Sequence, residues 1–311
     1  MSPSKAGFVP PMLAKLVAGP PAGEGWVYER KLDGLRCIAV KSGDRIELWS
    51  RSKQSFSGRF GGLAAAVGRL AIDDVVLDGE IVALEGDRTS FALLQRPGSV
   101  ATPVLYAFDV LHLDGEDVRD RPLLERKQLL GRVVKATSNG VVRRVRHVEG
   151  DPVALLQEAC AEGWEGLIAK RADGLYRSGR SSDWLKLKCS ASQELVIGGW
   201  TEPRGARTHF GALLLGYYDD DGLRYAGKVG TGFDTATLAD LHRRMVARER
   251  PTSPFVDRVR ERGAHWTEPE LVANFAFTEW TADGKLRHPR YEGLRPDKAA
   301  RTVRRELPTS G

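Results

Sequence analysis

At 311 residues the chain is long for a single core, and two domains are the expectation. Its 41% hydrophobic and 28% charged residues exclude a disordered or fibrous chain, and no apolar run is long enough for a signal peptide or a membrane span. The 47 Lys and Arg against 41 Asp and Glu leave a formal net charge of +6, which suits a polyanionic partner without requiring one.

The first informative run is Lys31-Leu32-Asp33-Gly34-Leu35-Arg36. It sets an amine nucleophile beside a tight turn and a fixed cation, a combination suited to attack on a nucleotide phosphate. Residues 35–40 and 45–50 are short β-prone stretches joined by Lys41-Ser42-Gly43-Asp44, a hairpin signal. Alternation puts Arg36, Ile38 and Val40 on one face and Leu35, Cys37 and Ala39 on the other. Glu29, Lys31 and Asp33 share a parity, so a cleft faced by Lys31 is open to all three. Taken alone, Lys31 and Arg36 are equally well read as solvated charges around a turn.

Residues 75–84 read as a buried strand that carries Asp78 and Glu80. A carboxylate between aliphatics is costly unless paired, so Glu80 calls for a hydrogen-bonding ligand, a metal or a basic partner. Residues 106–111 repeat the pattern, with Phe108 beside Asp109; that ring either stacks on a base or belongs to the core. Residues 123–134 have helical spacing. So do 153–161, with Asp151 as N-cap, Pro152 in the first turn and Gly163 as the stop. Glu165 then stands at the entrance of a strand that runs to Lys170. In Trp184-Leu185-Lys186-Leu187-Lys188, Lys186 and Lys188 share a face with Trp184 while both leucines point into the core. Two adjacent lysines require an anion between them, unless the strand is an edge that lysine protects.

After Cys189 the texture changes. Residues 194–200, 211–218 and 223–229 look like strands, and Asp220-Asp221-Gly222 supplies a turn. A helix follows with Leu238, Leu241 and Met245 on one side, then a strand over 273–280 and a basic tail. Several strands and one helix suggest a small barrel, an OB-fold. The polar connector Ser190-Ala191-Ser192 divides domain 1–190 from domain 191–311. Cys37, Cys160 and Cys189 are widely spaced, so neither a disulfide framework nor a zinc site is expected, and a reducing cytoplasm is.

Phosphoryl transfer accounts for these clusters together, because it needs alignment and charge stabilisation more than covalent help. The attacking lysine must be neutral, whereas free lysine titrates near pH ~10.4. Arg36, Lys186, Lys188 and a bound metal are expected to lower that value. Glu80 and Glu165 are then placed to hold a ribose hydroxyl and a divalent ion, Mg²⁺ by its preference for oxygen and phosphate ligands.

The succession Glu29-x-Lys31-x-Asp33-Gly34-x-Arg36, Ser50-Arg51, Asp78-Gly79-Glu80, Phe108-Asp109, Glu165-Gly166-x-x-x-Lys170 and Trp184-x-Lys186-x-Lys188 resembles the covalent nucleotidyltransferases, and within them the ATP-dependent DNA ligases. Pro11-Met12-Leu13-Ala14, Pro122-Leu123-x-Glu125-Arg126-Lys127, Gly179-Arg180-Ser181-Ser182-Asp183 and Arg295-Pro296-Asp297-Lys298 are similar to the ligase module of bacterial end-joining ligases. The resemblance implies an α+β chain: an adenylation domain of antiparallel sheets flanked by helices, then an OB-fold β-barrel. It implies that Lys31 takes AMP from ATP and passes it to the 5′-phosphate of nicked double-stranded DNA, with Mg²⁺ or Mn²⁺ as metal. Glu29 would contact the adenine amino group, Phe108 would stack on the ring and Glu80 would hold the ribose. Glu80 and Glu165 would bind metal, and Lys186 and Lys188 would grip the α-phosphate. Arg36 and Arg51 would lie near the ribose or nick phosphate, and Arg295, Asp297 and Lys298 would orient the leaving pyrophosphate. The family usually carries glycine soon after the arginine matching Arg51, where this chain has Ser52-Lys53-Gln54. A monomer acting with a Ku-like end-binding protein and separate polymerase and phosphoesterase chains also follows from the resemblance alone. The core lysine motif equally serves an RNA ligase or a GTP-using capping enzyme. Trp200, Tyr217, Tyr218 and Tyr225 on a basic barrel would also serve a non-catalytic DNA-binding protein.

Overall fold

The computed structural model describes residues 6–85, 88–89, 93–94, 102–134, 140–203, 205 and 207–307. The chain divides into two compact units, the first made of the residues up to Cys189 together with Leu307 and the second of Ser190–Glu306. In the first unit the strands include β1 (Met12–Leu16), β2 (Trp26–Arg30), β3 (Leu35–Ser42), β4 (Arg45–Ser50), β5 (Asp74–Val82), β6 (Val104–Leu113), β7 (Val142–Arg144), β8 (His147–Val148), β9 (Gly166–Arg171) and β10 (Gly179–Lys188). Helices α1 (Gly61–Gly68), α2 (Leu123–Val133) and α3 (Pro152–Ala161) complete it.

Two sheets result, in the orders β1-β10-β9-β2-β8 and β7-β6-β5-β3-β4. Most pairs are antiparallel; β1 with β10 and β7 with β6 are parallel. The expected hairpin forms, but its turn is tighter than the four-residue connection read from the sequence: Lys41 and Ser42 belong to β3, leaving Gly43-Asp44 as a two-residue loop with Gly43 at φ +58°. The alternation along β3 also holds. Leu35, Cys37 and Ala39 pack with α1 and α2 residues, while Ile38 and Val40 join Met12, Phe108, Tyr176 and Trp184 in a core contributed by both sheets. The opposite face of the first sheet buries Leu167, Leu185 and Leu187 against Leu155, Leu156 and Ala159 of α3. Helix α3 starts as expected, with the Asp151 carboxylate accepting from the Val153 N–H at 3.1 Å and Pro152 at its first position.

Two corrections concern this unit. Cys160 and Cys189 form a disulfide, which their spacing of 29 residues concealed; α3 and the end of β10 bring their Cα atoms to 5.3 Å. Strand β10 lies between β1 and β9, so its lysines do not guard an edge.

The second unit holds a seven-stranded sheet, a two-stranded hairpin and a helix. Its strands include β11 (Ser192–Thr201), β12 (Leu213–Tyr218), β13 (Leu223–Val229), β14 (Ala264–Thr267), β15 (Val272–Ala276) and β16 (Arg290–Leu294). Helix α4 (Thr235–Val246) is capped by Asp234, and it buries Leu241 and Met245 as its spacing predicts. The single strand expected over 273–280 is two, β15 and a short piece at Glu279–Trp280. What reads as a basic tail contains β16, paired with β15; its charges mask a strand whose Tyr291 is the inward residue. Strand β11 is central, pairing β12 on one side and β14 and β15 on the other. Among the described pairs the sheet does not close into a barrel. One backbone hydrogen bond, Tyr291 N–H to Thr231 O at 3.0 Å, reaches from β16 to the segment after β13. No helix among the described residues is long and apolar enough to cross a membrane.

Candidate active site

Register across the first sheet brings the sequence motifs into rows. Glu29, Ile168 and Lys186 lie side by side on β2, β9 and β10, and Gly166 sits opposite Lys188. Lys31 extends β2 by one residue, its N–H donating to the Gly166 carbonyl at 2.9 Å. Because residues directly across a sheet share a face, Lys31, Glu29, Lys186 and Lys188 all project to one side. Two glycines permit this approach. Gly166 has φ +144°, and a Cβ there would lie 1.9 Å from the Leu187 carbonyl oxygen. A Cβ on Gly34 would lie 2.2 Å from the Ile81 carbonyl oxygen, so only glycine lets the turn after Lys31 rest on β5 near Glu80.

The Lys31 ammonium meets the Glu165 carboxylate at 2.5 Å, and Lys188 approaches the other Glu165 oxygen at 3.8 Å. Glu165 is thus the anion that two adjacent lysines required. Burial opposes charge on Lys31, but the charge and hydrogen bond of Glu165, helped by Asp33 and Glu80, outweigh it and raise the pKa. That overturns the expected depression by neighbouring cations: acids, not cations, are its nearest charges here. Burial likewise opposes ionisation of Glu165, and Lys31, Lys188 and Lys186 prevail to hold its pKa below the usual glutamate value.

Glu29 is 2% exposed and forms ion pairs with Lys127 of α2 and with Lys170 of β9, the latter at 2.8 Å. Burial resists its ionisation, and the two ammonium groups overcome that and lower its pKa. Lys170 responds oppositely; burial pushes its pKa down to about 8 despite Glu29. Its Nζ stands 3.9 Å from the Trp184 ring centroid and 4.4 Å from that of Phe108.

On the second sheet Arg36 pairs in register with Glu80, which is half-buried. The Arg36 guanidinium grips Asp78 at 2.5 and 2.6 Å, donates to the Met12 carbonyl and lies 4.7 Å from the Phe108 centroid. Asp78 also accepts from the Tyr176 hydroxyl at 2.6 Å. Phe108 is therefore enclosed by Arg36, Lys170 and Trp184, and its ring packs between the sheets. Asp109 is fully buried in a bidentate pair with Arg126 at 2.8 and 2.9 Å. Arg51 lies in the turn after β4. There Lys53 takes the left-handed conformation at φ +62°, so the chain places a lysine where glycine would be favoured.

In the second unit Arg295 holds Asp297 at 2.8 and 3.0 Å, and Lys298 pairs with Glu194 at 2.7 Å. Asp297 is 1% exposed. These three expected site residues do come together, in an ion-pair network completed by Glu194 of β11.

Sequence reasoning gave no role to Lys127, Lys170, Asp78, Tyr176 or Glu194. Lys127 carried a signal. Leu123, Arg126, Lys127 and Leu130 have the i, i+3, i+4, i+7 spacing of a buried helical face, and all four are buried. A cation at such a position has to meet an acid. No group of three or more His, Cys, Asp or Glu able to hold a metal occurs among the described residues.

A lysine flanked by acids and lysines on one of two packed sheets, followed in the chain by an antiparallel unit, defines a nucleotidyltransferase with an OB-type second domain. The chain belongs to the ATP-dependent DNA ligase family. Residues 11–188 match the ATP dependent DNA ligase domain, and 206–298 match the ATP dependent DNA ligase C terminal region. It is 39% identical over 311 residues to the multifunctional non-homologous end joining protein LigD of Pseudomonas aeruginosa, covering 97% of this chain and 37% of that protein. It is 37% identical over 304 residues to the corresponding Mycobacterium tuberculosis protein, covering 95% and 40%. The chain thus spans about two fifths of these relatives. A mycobacterial DNA ligase D complexed with ATP and MES matches with TM-score 0.69 and 33% identity, over 95% of this chain and 98% of that one. The ligase domain of M. tuberculosis LigD matches with TM-score 0.53 and 35% identity over the same shares.

Proposed function

We propose that this chain seals 5′-phosphate/3′-hydroxyl nicks in double-stranded DNA through a lysyl-AMP at Lys31. The placement of Lys31 carries the reading: a lysine tied by its backbone to Gly166 and flanked by Glu165, Lys186 and Lys188. The Lys31 amine would attack the α-phosphorus of ATP, forming a P–N bond as the bond to pyrophosphate breaks. AMP would move to the DNA 5′-phosphate, and the 3′-hydroxyl would displace it.

To react, Lys31 has to shed the proton that Glu165 stabilises. Lys186 and Lys188 favour that loss twice over, by competing for Glu165 and by repelling a second ammonium. The same two lysines would hold the α-phosphate, and Glu80 the ribose. Residues 1–190 form the adenylation domain in this reading. Residues 191–311 form the second domain, whose Arg295, Asp297 and Lys298 would orient pyrophosphate. Glu165 and Glu80 supply too few ligands for a protein-only cage, which fits Mg²⁺ or Mn²⁺ held jointly with substrate phosphates. Such an ion would neutralise charge on the phosphates during transfer. A role in double-strand break repair accords with the relatives' names, which print non-homologous end joining; a Ku-like end-binding protein is the partner in this reading. A monomer in the bacterial cytoplasm completes the proposal.

The test is mass spectrometry of the chain after incubation with ATP and magnesium. One adenylate on the peptide containing Lys31, chased off by nicked duplex, is expected. An unmodified peptide, or a normal adduct in Lys31→Ala, overturns the mechanism.

A further inference from the structure

Helix α2 delivers two adjacent cations to two buried acids. Arg126 saturates Asp109 with a bidentate pair and spends its Nη1 donors on the Arg121 and Gly174 carbonyls. Both side chains of that pair are 0% exposed, out of reach of a ligand. Lys127 differs. It is 7% exposed and its ammonium faces the Glu29 carboxylate, whose other oxygen meets Lys170. A carboxylate offers about four lone-pair sites, and each ammonium three donors, so both retain hydrogen-bonding capacity after pairing. Glu29 shares its sheet face with Lys31, two residues along the same strand. Its spare acceptor sites therefore lie on the face that Lys31 shares, where the resemblance to the ligases implies the adenine amino group.

We propose that Lys127 is a positioning residue for base choice: it holds Glu29 ionised and aimed, so that the carboxylate accepts from the 6-amino group of adenine. This rests on the nucleotide reading of Lys31 and deepens it. An ionised carboxylate is acceptor-only and matches an amino group; it repels the O6 acceptor of guanine. Without Lys127 the buried acid has one cation fewer and gains a proton more readily. A protonated Glu29 becomes a donor and can meet O6. The consequence is specific: removing Lys127 penalises the base that donates an amino group and spares one that lacks it.

The experiment measures lysyl-nucleotide formation with ATP, GTP and purine riboside triphosphate, which has no 6-amino group, in the full chain. Lys127→Met is expected to lose about tenfold with ATP, the size of one charged hydrogen bond, and to change little with the purine analogue. Adduct formation with GTP should rise relative to ATP, and Lys127→Arg should restore the wild-type order. Lys127→Gln repeats the measurement should the methionine variant fold poorly. Equal losses with all three nucleotides would mean that Lys127 only supports the fold, and would overturn the inference. Glu29→Gln separates the two layers. If it lowers the preference for ATP over the analogue while Lys127→Met does not, Lys127 has no such role but the base reading stands. If neither variant alters that preference, Glu29 does not read the base and both statements fall.

Discussion

Two ion pairs in the first unit, built from the same kinds of residue, behave as opposites. Asp109 and Arg126 are both fully buried and locked in bidentate geometry, with four of the five arginine N–H donors committed. Lys31 and Glu165 are about one-fifth exposed, joined by one contact, and shared with Lys188. Burial makes the difference. A buried pair cannot exchange partners without stranding a charge, whereas a partly exposed pair can trade one partner for water or a phosphate. The first pair belongs to the scaffold and the second to the chemistry.

The sharpest way to test the contrast is to cut both pairs. Lys31→Ala should abolish adenylate transfer entirely while moving the denaturation free energy by no more than about 1 kcal/mol. Asp109→Ala should do the reverse in kind, destabilising by about 3–5 kcal/mol in urea unfolding because Arg126 is left buried and unpaired. A Lys31→Ala chain as unstable as Asp109→Ala would erase the distinction.

Reduction of Cys160–Cys189 comes next in size. By loop-closure entropy, a bridge spanning 29 residues contributes about 3.6 kcal/mol, so a reductant or Cys160→Ser should lower the unfolding free energy by that much, read as a fall in the urea midpoint. An unchanged midpoint would show that the bridge adds nothing in solution.

Lys170 separates the clusters by pH. Its folded pKa lies near 8, below the unfolded lysine value, so between the two the unfolded chain holds more protons. Stability should therefore gain a rising component from about pH 8 to pH 10, and that component should vanish in Lys170→Met, read from urea midpoints across the range. The smallest effect belongs to the turn after β4. Lys53→Gly should stabilise by about 1 kcal/mol by relieving the left-handed backbone at φ +62°. A loss would show that the Lys53 side chain, 5.6 Å from the Phe8 ring centroid, outweighs the strain.

Much of this was legible beforehand because it is local. The alternation along β3 and β10, the Asp151 cap and the hairpin at Gly43 depend on residues a few positions apart. The position of Lys31 at a turn beside an acid followed from its motif as well. One misreading was local, the single strand expected over 273–280 that is two; the larger ones involve partners far apart in the chain. Cys160 and Cys189 looked unrelated, β16 hid in a basic stretch, and the charge state of Lys31 was assigned from cations when its nearest neighbour, 134 residues away, is an acid.

By itself, then, the order of residues determined which side chains share a face of each strand and helix, since that follows from periods of two and 3.6 along one backbone. Only the tertiary structure decided which charges meet: Glu29 with Lys127, Arg36 with Asp78, Lys31 with Glu165. Those partners come from different strands and helices. Coulombic energy and desolvation depend on separation and burial in space, and neither is encoded by neighbours in the chain.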